Sequence, residues 1–237
     1  MKFFTDKSVE NDYLLIKIQD YLKMDDFSRW KEVIIDPGVY ELTKGVIEYS
    51  WEKEVNILDF LKSLPANHYF SCDYPCDMYL PHTNRFIARS WERASQYCWH
   101  PQYITTVQSK FMDYWSFKEW FDKYNKLNIQ GFMGLGNMCR IFHLTEFVKH
   151  ALDYAFSHCK SNRVHIFGLA LNNIPYANKL AKRFNIELSM DSTKWTRAVN
   201  TDLKQYYKTI GCRTKKERQE FFNWYIVELK KRGVKIE

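Results

Sequence analysis

Short apolar runs alternate with amphipathic stretches along most of this chain, and that rhythm admits few folds. The runs are Val33-Ile34-Ile35, His68-Tyr69-Phe70, Ile104-Thr105-Thr106-Val107, Gly131-Phe132-Met133, Val164-His165-Ile166-Phe167 and Ile186-Glu187-Leu188-Ser189-Met190. Each is strand-sized, and most are rich in β-branched or aromatic residues, which suit a pleated surface. Lys2-Phe3-Phe4 and Leu14-Leu15-Ile16 are two weaker candidates.

Helical patterns separate the runs. Thr83 to Trp99 places Phe86, Ile87, Trp91 and Ala94 on one side, and Phe142 to Lys160 repeats Leu144, Phe147, Val148, Ala151 and Ala155 at the helical period. Ser116, with Glu119 three residues on, predicts an N-cap for a helix to about Leu127. Pro175 opens a helix to about Phe184, and Lys215 to Arg232 ends at Gly233. Strand, helix, strand at this spacing predicts βαβ units and a parallel sheet. With no internal repeat and no linker, 1–237 is expected to be one domain, and 237 residues are slightly short for a full barrel with all its helices. The expected fold is therefore α/β, a (β/α)8 TIM-like barrel, complete or trimmed, with no separate zinc subdomain.

A barrel is favoured over an open sheet by how the strands end. Ile35 leads into Asp36-Pro37-Gly38, Phe70 into Ser71-Cys72-Asp73-Tyr74-Pro75, and Val107 into Gln108. Met133 leads into Gly134-Leu135-Gly136-Asn137, Phe167 into Gly168, and Met190 into Asp191-Ser192. A parallel barrel gathers all of these on one face, where barrel enzymes keep their active sites. An open sheet would gather only a few at its switch point. Taken singly, an Asp after a strand is more often a turn former or helix cap. Gly134-x-Gly136 lacks the third glycine and lysine of a phosphate loop, and marks close backbone approach.

Hydrophobic residues at 46% and charged residues at 27% describe a globular chain and exclude a disordered one. A net charge of +7 without a basic tail mildly favours an anionic partner. Neither a long apolar run nor an apolar N-terminal leader is visible, so the expectation is a soluble, intracellular (cytoplasmic) protein with no membrane partner and six reduced cysteines. Cys72, Cys76, Cys98 and His100 leave one zinc site open, although neither pair has the usual Cys-x2-Cys knuckle. Histidines lack His-x-His or His-Glu-x-x-His spacing, which argues against a metallohydrolase; no metal and no cofactor are expected.

The ordered strand ends carry a resemblance. Ile35-Asp36-Pro37-Gly38-Val39-Tyr40 resembles the Asp-Ser-Gly-Gly-Phe-Gln loop of the tRNA-guanine transglycosylase superfamily. Asp73-Tyr74-Pro75, Val107-Gln108, Gly134-Leu135-Gly136, Phe167-Gly168 and Asp191-Ser192-Thr193-Lys194-Trp195 follow in that family's order. The last is similar to the Asp-Ser-x-x-Trp strand end of the branch that inserts 7-deazaguanines into phage and bacterial DNA. The resemblance spans roughly residues 30 to 200; no single motif is specific, and the ordered set carries it.

The resemblance implies that Asp191 attacks C1′ of a target nucleoside and expels guanine, giving a covalent glycosyl-enzyme. It implies that Asp36 handles protons on the leaving and incoming bases, as paired carboxylates do in retaining glycosidases. Asp73 would read the guanine edge, and Gln108 with the Gly134 and Gly136 backbone would contact the base carbonyl. Tyr40 and Phe167 would sandwich the purine. Pro37 stands where the family has Ser, and beyond Asp191 only Cys212 remains of the family's Cys and His zinc cluster.

The implied partners are DNA or tRNA, with DNA favoured, and a free 7-deazaguanine base. Arg85, Arg89 and Arg93 recur every fourth residue, either as a solvated face or as a phosphate track, with Arg140 and Arg197 nearer the mouth. Three alternatives stay open: a tRNA-guanine transglycosylase of queuine or archaeosine type, a non-catalytic barrel that binds nucleic acid or purine, and a purine N-glycoside hydrolase.

Overall fold

The computed structural model describes residues 1–37, 51–70, 83–136, 138, 145–192 and 214–237, with the side chains of 51–54 and 83 excepted. Eight parallel strands form a nearly closed barrel with helices between them. They are β1 (Lys2–Phe4), β2 (Tyr13–Lys17), β3 (Glu32–Asp36), β4 (His68–Phe70), β5 (Tyr103–Val107), β6 (Met133–Leu135), β7 (Arg163–Ile166) and β8 (Glu187–Asp191). Their order is β1-β8-β7-β6-β5-β4-β3-β2, so β1 pairs with β8 and the ring comes round to β2. There it is joined by a single bridge, Thr5 to Leu14, in which Thr5 N–H donates to Tyr13 O and Leu15 N–H to Thr5 O.

Seven helices lie among the described residues: α1 (Ile18–Tyr21), α2 (Trp51–Lys62), α3 (Thr83–Tyr97), α4 (Tyr114–Tyr124), α5 (Glu146–His158), α6 (Ile174–Phe184) and α7 (Lys215–Lys231). Both weak strand candidates are strands. The sequence pattern misplaces β6, which begins at Met133 and not at Gly131. A Cβ at Gly131 would lie 2.2 Å from Tyr103 O, so this glycine permits backbones to touch just before the ladder starts. The α4 N-cap is Asp113, whose carboxylate accepts from Ser116 N–H, whereas the Ser116 hydroxyl accepts from Lys110 N–H. The helix ends at Tyr124 with Asn125 as its C-cap, short of Leu127. The short α1 and the longer α2 have no counterpart in the sequence reading.

Alternation along each strand sorts the side chains. One set packs under the helices in two clusters. Val107, Met133, Leu135, Val164, Ile166, Leu188 and Met190 lie in one, with α4 to α7. Leu14, Ile16, Val33, Ile35, Tyr69 and Tyr103 lie in the other. The opposite set fills the barrel with Phe4, Tyr13, Ile34, Phe70, Ile104 and Phe132, with Leu15 and Phe167 partly buried against them. The last helix closes over β1, with the Phe3 ring 5.6 Å from Tyr225.

The N-terminal end of the barrel is a charged floor. Lys2 Nζ lies 2.5 Å from Glu32 Oε1 and 2.9 Å from Glu187 Oε1, and Arg163 Nε lies 3.1 Å from Glu187 Oε2. The Arg163 guanidinium also sits 4.0 Å from the Phe132 ring centre. Burial would lower the Lys2 pKa, but its hydrogen bonds to Glu32 and Glu187 outweigh this and raise it. Burial, followed by the Arg163 and Lys2 charges, pushes His68 down to about 4. At neutral pH its 3.8 Å approach to Glu32 is therefore not an ion pair.

Candidate active site at the barrel mouth

Parallel strands bring Asp36 and Asp191 to the same end of the barrel, each as the last residue of its strand. Asp36 is half-buried and pairs in register with Lys17 of β2, itself exposed. Asp191 is also half-buried, its side chain 13% exposed.

Asp191 is held through one oxygen. Its Oδ1 accepts from Gly168 N–H at 3.2 Å and lies 3.2 Å from His165 Nε2. Gly168 adopts φ +54°, a left-handed turn that an L side chain disfavours. His165 is fully buried and its Nδ1 lies 2.9 Å from Ser189 Oγ. With a proton on Nε2 the ring donates to the carboxylate, while its Nδ1 meets the serine hydroxyl. Phe4, Phe70 and Phe167 surround the imidazole at centroid distances of 6.1, 5.2 and 5.0 Å. Among the described residues, Asp191 Oδ2 carries no hydrogen bond. The arrangement can present one carboxylate oxygen from a fixed support, as a nucleophile or an electrostatic stabiliser requires.

Glycines shape the wall beside it. A Cβ on Gly134 would lie 3.0 Å from both Phe167 Cε2 and Thr106 Oγ1, so the missing side chain makes room for the phenyl ring. A Cβ on Gly136 would lie 2.7 Å from Gln108 Nε2, so the buried glutamine amide rests on that backbone. The Gly136 N–H already donates to Val107 O. Gly136 is thus a shelf under Gln108. Phe167 packs against Phe70 at 4.4 Å, half-buried at the inner wall.

Arg85, Arg89 and Arg93 do not make one solvent-facing row. Arg85 is exposed and Arg89 half-buried, while Arg93 is 0% exposed and donates through Nη1 to Gln96 Oε1 at 2.6 Å. Four residues turn a helix through about 400°, so each step advances about 40° around the axis and the row walks into the core. Asp73, Tyr40, Arg140 and Arg197 lie outside the described residues, as do Cys72 and Cys76 of the zinc candidate. Cys98 is buried, which pushes its thiol pKa up.

Sequence reasoning missed His165, Ser189 and Lys17. Period-two alternation was the available signal: His165 shares a face with Phe167, Ser189 with Asp191, and Lys17 with Tyr13 and Leu15. No protein-family model matches the chain, and no curated protein matches it. Among the described residues, no helix is long and apolar enough to cross a membrane.

Proposed function

We propose that the barrel mouth exchanges a purine base in nucleic acid, expelling guanine and installing a 7-deazaguanine, with DNA favoured over tRNA as the polymer. Asp191 attacks C1′, the C1′–N9 bond breaks, and its electron pair leaves with guanine, which Asp36 protonates. The incoming base then gives a proton to Asp36 and attacks C1′, releasing Asp191. The sugar passes through two displacements and keeps its configuration.

The supporting observation is the Asp191 carboxylate, anchored among the described residues through Oδ1 alone, at the end of the barrel that also carries Asp36 and Gln108. An oxygen held this way loses little freedom on reaching a reacting carbon. Phe167 and Gln108 supply an apolar face and an amide for a flipped base.

The test follows radiolabelled 7-deazaguanine into guanine-containing DNA and tRNA, with intact-mass analysis for a glycosyl-enzyme. The wild type is expected to incorporate label and form an adduct, and Asp191→Asn to do neither. Full incorporation by Asp191→Asn would exclude Asp191 as the nucleophile. Polymer binding without exchange by the wild type would leave a binding barrel.

A further inference from the structure

Gln108 follows β5 at the mouth, and the chain then runs through Ser109, Lys110, Phe111, Met112 and Asp113 into α4. This loop is tied down. Asp113 N–H donates to Lys110 O at 3.2 Å, Lys110 N–H to Ser116 Oγ at 3.0 Å, and Ser116 N–H to Asp113 Oδ1 at 2.9 Å. Within this frame Met112 sits at φ +56°, a conformation that a side-chain-bearing residue disfavours, and the residue is 47% exposed. Three residues on, in the first turn of α4, Trp115 is 75% exposed, with its ring 5.5 Å from Tyr114. The other exposed large apolar residues among those described, Leu22, Phe60, Trp99 and Val227, are scattered along the chain. Lys110 is exposed beside the pair, and the whole chain carries +7.

The hydrogen bonds of the loop frame Met112 at this strained φ, with the residue open to solvent. Strain kept by its surroundings at a functional rim is a recognised signature. An exposed tryptophan and an exposed methionine close in sequence to a lysine match the parts of a base-stacking platform: apolar surface for bases and a cation for the phosphate between them. Its place, one loop from Gln108, lets it hold nucleotides flanking a base that has entered the mouth.

We infer that Met112 and Trp115, with Lys110, form a stacking platform for single-stranded polynucleotide next to the barrel mouth. This inference rests on the proposed base exchange for its biological purpose, but its test needs no chemistry. Binding of labelled oligothymidylate and oligouridylate, both free of guanine, is measured by fluorescence anisotropy over a salt series. Trp115→Ala is expected to weaken binding roughly tenfold or more with an unchanged salt slope, and Trp115→Phe to fall between. Lys110→Ala is expected to lower the slope by about 0.7, one phosphate's share. Met112→Gly should weaken binding while leaving the melting temperature unchanged or higher, because it relieves the strained φ. The two oligonucleotides decide whether the platform prefers DNA or RNA.

Unchanged affinity for both in folded Trp115→Ala would overturn the platform. So would a sedimentation shift in that variant without an affinity change, which would make the patch a contact between copies of the chain. Platform effects without base exchange by the wild type would sink the proposed chemistry alone. Exchange without platform effects would sink this inference alone.

Discussion

The two ends of the barrel interior are built from the same strands and treat charge in opposite ways. At the floor, Lys2, Glu32, Arg163 and Glu187 pair with one another, and the one titratable ring among them, His68, is kept neutral. At the mouth, Asp191 is steadied by a backbone N–H and an imidazole, with no cation of Lys or Arg type against it among the described residues. Mutual ion pairs close a barrel, while a carboxylate held by dipoles stays available to react. Substitutions at the floor should therefore cost stability, and substitutions at the mouth should cost activity.

The largest effect is expected at the mouth. Asp191→Asn should lower exchange by about 10⁴-fold or more, and Asp36→Asn by about 10²–10⁴-fold, both in single-turnover assays. Thermal melts of both should match the wild type or exceed it. A melt lowered as far as that of a floor variant would erase the distinction between the ends.

Next comes the floor, through pH. The folded pKa of His68, about 4, lies below its ordinary value of 6.5. Between these values the unfolded chain takes up a proton that the folded protein refuses. Stability is thus undiminished above pH 6.5 and falls as pH drops towards 4, by up to about 3 kcal/mol. His68→Phe should flatten that limb in urea titrations and leave exchange at neutral pH intact. Glu187, with burial opposing and Lys2 and Arg163 lowering its pKa, adds stability above the ordinary carboxylate value. That share is lost as pH falls through its depressed folded pKa. An unaltered acid limb in His68→Phe would locate the sensitivity elsewhere.

Two glycines sharpen the contrast at smaller scale. Gly131→Ala forces a Cβ onto the Tyr103 carbonyl and should cost about 1–3 kcal/mol in urea unfolding, as overpacking does. Gly168→Ala should cost only about 1–2 kcal/mol of stability, the strain of a left-handed turn. It should also slow exchange, because the turn aims the N–H at Asp191. Loss of stability with full activity in Gly168→Ala would show that the hydrogen bond to Asp191 does not orient it.

Much of this was legible in the chain, for physical reasons. Parallel strands buried on both faces read as apolar runs, and polar residues at their ends announced the mouth, so the fold and the positions of Asp36, Gln108 and Asp191 followed. The start of β6 was not legible, because glycines weaken a strand signal where close packing demands them. The Asp113 cap was hidden by a serine three residues later that looked equally suited to the role. Arg93 was misjudged because a spacing of four suggests a straight row and conceals its drift around the helix. His165 escaped because a lone histidine within an apolar run looks like core until its neighbours on the same face are named.

The register of β1 bears on how the protein is made. Phe4 lies opposite Asp191, and among the described residues the backbone pairing towards β2 is reduced to the bridge at Thr5. During synthesis β1 is made well before β8, and finds this main partner only after some 185 further residues. Until then the edge that β8 covers is left open to water or chaperones. The strand that carries the proposed nucleophile is also the one that completes the ring. A chain stopped before it would therefore have neither a closed barrel nor Asp191, and incomplete products of translation should be inert.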